Sequence, residues 1–144
     1  TFSTLRKTGV LAAHHASVEL GLIRSVWPCP PLSPNFCQEG ESLAEWGPCI
    51  DTCKLAQRLH PQLQSYKLAD LVRTFSLSES LNEIAKIHCP KNRTRYHCAL
   101  YDTLASALLL LAMMQSQEQT LEWLIAESAS SQGARDAGHQ TELF

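Results

Sequence analysis

The chain has 144 residues, a net charge of −2 with histidine neutral, and 44% hydrophobic against 18% charged residues. That length suits one domain with a real core, and that balance excludes a strongly basic field over the whole surface, so a nucleic-acid ligand needs a local basic patch or a metal to hold it. No apolar run reaches 18 residues, which excludes a membrane-spanning helix, and residues 1–7 carry no signal-peptide apolar region, so a cytoplasmic protein is expected.

In chain order, residues 9–13 (Gly-Val-Leu-Ala-Ala) read as a short buried strand. His14 and His15 end it. Ser17 reads as an N-cap, and Val18, Leu20, Leu22, Ile23 and Val26 recur at helical spacing. Pro28, Pro30, Pro31 and Pro34 then stop the helix and stiffen a loop through Phe36. Near Pro48 a second unit begins: Cys49-Ile50 as a brief apolar step, Asp51-Thr52 as cap chemistry, and Leu55, Ala56 and Leu59 as a helix stripe closed by Pro61. A further helix is expected over 68–75. Another, capped by Ser78 or Ser80, carries Leu81, Ile84, Ala85 and Ile87 and ends at Pro90. The basic loop 91–95 precedes a long helix from Ala99 to about Glu127, with a break near Ser116 open. From Ser128 the chain is small and polar and reads as a disordered tail, giving a domain over 1–127 and a tail over 128–144.

The six cysteines read as free buried thiols in the absence of a secretion signal. A zinc site from His88, Cys89, His97 and Cys98 can be drawn, but it lacks the paired spacing of structural zinc sites. The tryptophans at 27, 46 and 123 read as packing residues. Strand, helix, strand and a run of helices make the class α/β, although two strands are too few for a stable sheet.

His97, Ala99 and Asp102 form the motif H-x-A-x-x-D at the head of the apolar helix. His14, His15 and Glu19 follow the first strand, Ile50-Asp51-Thr52 marks the second strand-to-helix step, and Tyr66 to Leu71 opens the next helix. In this order and spacing, residues 5–115 resemble the histidine branch of the DEDD-type 3′–5′ exonuclease superfamily. That branch has a ribonuclease-H-like fold and includes the proofreading subunit of bacterial replicative polymerase. Its second motif is H-N-x-x-x-D, so His15 replaces Asn and Glu19 stands where Asp is usual. Its first motif, D-x-E on the opening strand, does not occur before His14. Three opening strands and a helix would take roughly 50–60 more residues. The resemblance therefore implies a ribonuclease-H-like domain truncated at its N-terminus, with a reduced sheet and C-terminal helices.

The implied activity is metal-dependent hydrolysis of phosphodiesters from the 3′ ends of single-stranded DNA or RNA, with two Mg²⁺ or Mn²⁺ ions in the family. By position, His97 would be the general base and Asp102 and Glu19 metal ligands. His14 and His15 would lie at the substrate. Arg93 and Arg95, just before His97, would reach a substrate phosphate. The branch contains both dimers and subunits of larger assemblies, so either is implied here. The alternative is an inactive exonuclease-like scaffold that binds nucleic acid or a protein. The incomplete carboxylate set favours that alternative, and the intact His97/Asp102 pair favours the enzyme.

Overall fold

The computed structural model describes residues 2–115 and 119–129. A seven-residue helix, α1 (Phe2–Thr8), opens the chain where the sequence pattern offers no element. It docks through Arg6, which is fully buried, donates from Nη2 to the Gly47 carbonyl and lies 5.6 Å from the Phe36 ring centre.

The expected first strand is β1 (Leu11–Ala13). It runs parallel to β4 (Cys49–Asp51), with Leu11 opposite Cys49 and Ala13 opposite Asp51. Between them lie α2 (Ala16–Val26) and an antiparallel pair of two-residue strands, β2 (Ser33–Pro34) and β3 (Ser42–Leu43). The proline-rich stretch is thus partly a ladder rather than loop throughout. Pro34 is tolerated there because a two-stranded ladder consists of edges.

Helices α3 (Thr52–Leu59), α4 (Leu68–Thr74) and α5 (Ser78–His88) fall where their apolar spacing puts them. Leu77, not Ser78 or Ser80, takes the N-cap position of α5, with no side-chain cap bond. The expected long helix is two: α6 (Ala99–Met114) and α7 (Leu121–Ala129). Ser128 does not begin a tail. It is buried in α7, accepts the Asp51 backbone N–H at 2.9 Å and donates to the Leu124 carbonyl at 2.7 Å. The remainder of the expected tail, 130–144, lies outside the described residues.

Helix α6 buries Tyr101, Ala105, Leu109 and Met113, one residue every four, and so presents a single stripe. Leu109 and Met113 pack with Ile50, Leu55, Leu71 and Leu124. Tyr101 and Ala105 pack with Val72, Leu81 and Ala85. Adjacent α4 residues serve both groups, Leu71 one and Val72 the other, which fixes α4 against the middle of α6.

The class is α/β. Among the described residues it has seven helices around a two-stranded parallel sheet and a separate short ladder. None of the described helices is long and apolar enough to cross a membrane. All six cysteines are free, but only Cys53 and Cys89 are buried, so most of the thiols are less enclosed than composition suggests.

Candidate active site

The two parallel strands end side by side, and Asp51 at the tip of β4 organises the segments that leave both of them. Its carboxylate is buried. Oδ1 accepts the N–H groups of Cys53 at 3.0 Å, Lys54 at 3.4 Å and His15 at 3.2 Å, and Oδ2 accepts that of Ala16 at 3.0 Å. One side chain therefore caps α3 and also holds the start of α2, satisfying backbone donors at two helix N-termini. Asp51 acts as a cap, and Ser17 is not the N-cap of α2. His15 occupies that position in left-handed backbone, φ 61°.

His14 lies between the same elements. Its Nε2 sits 3.0 Å from the Tyr66 carbonyl, which can only accept, so Nε2 carries the proton. Its Nδ1 then accepts the Thr52 hydroxyl at 2.9 Å. Burial, followed by the neighbouring His15, lowers the pKa of His14, against the Tyr66 bond and the charges of Asp51 and Asp102. The ring is thus a neutral pin between β1, α3 and the segment before α4, with both nitrogens spent on the protein.

At the head of α6, His97 is also left-handed, φ 68°, and exposed. Its backbone N–H donates to the Asp102 carboxylate, 3.1 Å from Oδ2 and 3.3 Å from Oδ1. This resembles a capping box, in which an early helix acid reaches back to an N–H before the helix. The spacing of five lets Asp102 fix the turn from which the His97 imidazole projects.

Beside β1 (Leu11–Ala13) and Cys49, the first residue of β4, lies a cleft of about 630 Å³, within the size range of small-molecule sites; Asp51 does not line it. His14, His15 and Glu19 line it from the β1–α2 side, and His97 and Asp102 from the α6 side. Arg93 and Arg95 do not line it. They lie on the exposed loop that leads to His97. Two further residues line it that the sequence did not single out as site residues: Lys67, at the N-cap of α4 and inside the Tyr66–Leu71 segment, and Tyr96, beside His97. Lys67 stands next to the Leu68 helix start, the one local hint that it faces the cleft. Tyr96 carries no such signal.

The chemistry available is that of oxygen and imidazole rather than thiol. Burial, then the charge of Asp51, pushes the thiols of Cys49 and Cys53 up to about 11, so both stay protonated at neutral pH. His14, His15 and Cys53 have potential ligand atoms within 4.8 Å of one another. Hydrogen bonds already use this group, since the Cys53 thiol donates to the same Tyr66 carbonyl at 3.7 Å as His14 does at 3.0 Å. Among the described residues, His88, Cys89, His97 and Cys98 do not converge as a metal site.

For a hard divalent cation the cleft offers Asp102 and Glu19. Mg²⁺ is commonly held by one or two carboxylates, completed by substrate phosphate and water, and the cleft supplies that number, although among the described residues neither carboxylate joins a cluster of three potential ligands. The two carboxylates do not fit a two-ion site built from four carboxylates, because Asp51, the other aspartate at the strand ends, is filled by backbone N–H groups.

No family model matches the chain, and no solved structure matches it. Over 106 residues, 74% of its length, the chain is 28% identical to the DNA polymerase III PolC-type of Bacillus subtilis (strain 168). It spans 6% of that protein's length. The similarity is thus to a small part of a bacterial DNA polymerase.

Proposed function

We propose that the chain is a 3′–5′ exonuclease-type domain of ribonuclease-H-like ancestry that acts on single-stranded nucleic-acid ends. The observation that carries this reading is the meeting of His14, His15 and Glu19 with His97 and Asp102 around one cleft, although Glu19 and His97 lie 78 positions apart in the sequence. The similarity to a DNA polymerase III supports the same reading.

In this reaction the oxygen of a water molecule bonds to phosphorus while the bond from phosphorus to the 3′ oxygen breaks. A nucleoside 5′-monophosphate and a strand with a free 3′ hydroxyl result. Asp102 and Glu19 would hold a divalent cation, which would supply Lewis acidity to the scissile phosphate. His97, exposed to the cleft, accepts the proton of the attacking water. Asp102 orients His97 through its backbone N–H and, with Glu19, presents the negative charge that a cation requires. Lys67 neutralises phosphate charge at the mouth of α4.

A second reading, a binding scaffold without turnover, is favoured by one observation: the Asp102 carboxylate already accepts a backbone N–H. The deciding assay uses 5′-labelled single-stranded DNA and RNA with Mg²⁺ or Mn²⁺. The nuclease gives a ladder of shortened products that His97→Ala and Asp102→Ala each abolish. Retained strand binding with no ladder selects the scaffold.

A further inference from the structure

A second cavity, of about 400 Å³, lies between α4, α5 and the start of α6, and it shares Ala69 and Tyr96 with the cleft. These two residues form a common wall. Ala69 is small enough to keep the partition low, and Tyr96 supplies a ring held edge-on against Tyr101, with centroids 5.1 Å apart and planes at 89°.

The chambers repeat one chemistry. Each has a cation from α4 or its N-cap, Lys67 in the first and Arg73 in the second. Arg73 is steadied through Nη2 by Asp70, which also accepts the Ser65 hydroxyl. The second chamber adds the Asn82 side-chain amide, bonded to the Tyr101 hydroxyl at 3.4 Å. A repeated cation on either side of a shared aromatic wall suits a polymer of anionic units with flat faces, because aromatic rings stack on any base without selecting its sequence.

We propose that the two chambers hold consecutive nucleotides of one single strand, with Tyr96 stacking against a base at the partition and Arg73 contacting the phosphate of the second unit. This rests on the reading of the cleft as a nucleic-acid end site. It adds a second subsite and two binding residues outside the motif positions.

Binding without turnover tests it. The probes are thymidine 5′-monophosphate and a 5′-phosphorylated thymidine dinucleotide, titrated calorimetrically in EDTA so that nothing is cleaved. The dinucleotide should bind more tightly than the monophosphate. Arg73→Ala should weaken the dinucleotide several-fold and leave the monophosphate unchanged. Tyr96→Ala should weaken the dinucleotide by about tenfold, and Tyr96→Phe, which keeps the ring, should restore it. Circular dichroism confirms that the variants fold. Equal affinity for the two ligands, an Arg73→Ala effect on both or neither, or a Tyr96→Phe as weak as Tyr96→Ala overturns the proposal. Cleavage that depends on His97 but not on Tyr96 or Arg73 overturns the second subsite and leaves the nuclease standing. The expected binding pattern without cleavage does the reverse.

Discussion

Three described residues other than glycine adopt positive φ, and two of them, His15 and His97, line the cleft. Each gives its N–H to an aspartate, His15 to Asp51 and His97 to Asp102. The same device thus builds both walls: a carboxylate holds a histidine in a backbone conformation that costs an ordinary side chain of order 1–3 kcal/mol. Histidine tolerates this region better than most residues, and glycine tolerates it best. His97→Gly should therefore raise the melting temperature by a few degrees while abolishing hydrolysis. A calorimetric scan beside the product ladder measures both, and a lower melting temperature would show that the His97 side chain stabilises the turn. The motif H-x-A-x-x-D was legible in the sequence because its spacing is local. That Asp102 spends its carboxylate on a backbone N–H was not, because only the left-handed turn makes it so.

Among the elements, Asp51 has the widest reach, tying β4, α3 and the start of α2 together. An Asn there keeps one acceptor and turns an NH₂ group toward an N–H that needs one. A single cap contributes about 0.5–2 kcal/mol, and with the amide oxygen in the Oδ1 position only the Ala16 N–H loses its acceptor, so Asp51→Asn should cost about 0.5–2 kcal/mol in urea denaturation. A loss below about 0.5 kcal/mol, the lower end for a single cap, would mean that α2 does not depend on this carboxylate. The sequence disclosed this capping role for α3, where Asp51 is adjacent, and hid it for α2, whose N–H groups lie 35 and 36 residues away. Helices with a clear apolar stripe, α3 to α6, were likewise readable. Helix α1 was not, because a seven-residue segment gains its helicity from tertiary docking, here of Arg6 against Gly47. Lys67 and Tyr96 enter the cleft only once α4 is seated on α6, and no spacing within their own segments reports that.

Across the whole molecule, His14 couples the architecture to pH. Its pKa is lowered on folding, so the unfolded chain takes up the proton first. The stability linked to His14 is therefore complete above its ordinary 6.5 and is lost as pH falls through the lower folded value. Urea midpoints should decline as the pH drops from about 7 to 5. His14→Gln, which offers an uncharged amide donor for the Tyr66 carbonyl, should lower the midpoint at high pH and flatten that decline. An unchanged slope would assign the decline to other groups. The carboxylate of Asp70, held below its usual range by Ser65 and then Arg73, adds a separate loss at more acidic pH. The bond from the Asp51 N–H to Ser128 has a further consequence, in time rather than in space. It joins residues 77 apart, and chains are synthesised at about 5–20 residues per second. The capped strand end thus waits roughly 4–15 s on the ribosome before its last partner is made. During that interval the Asp51 N–H at the end of β4 lacks this partner, and the strand end is complete only when α7 arrives.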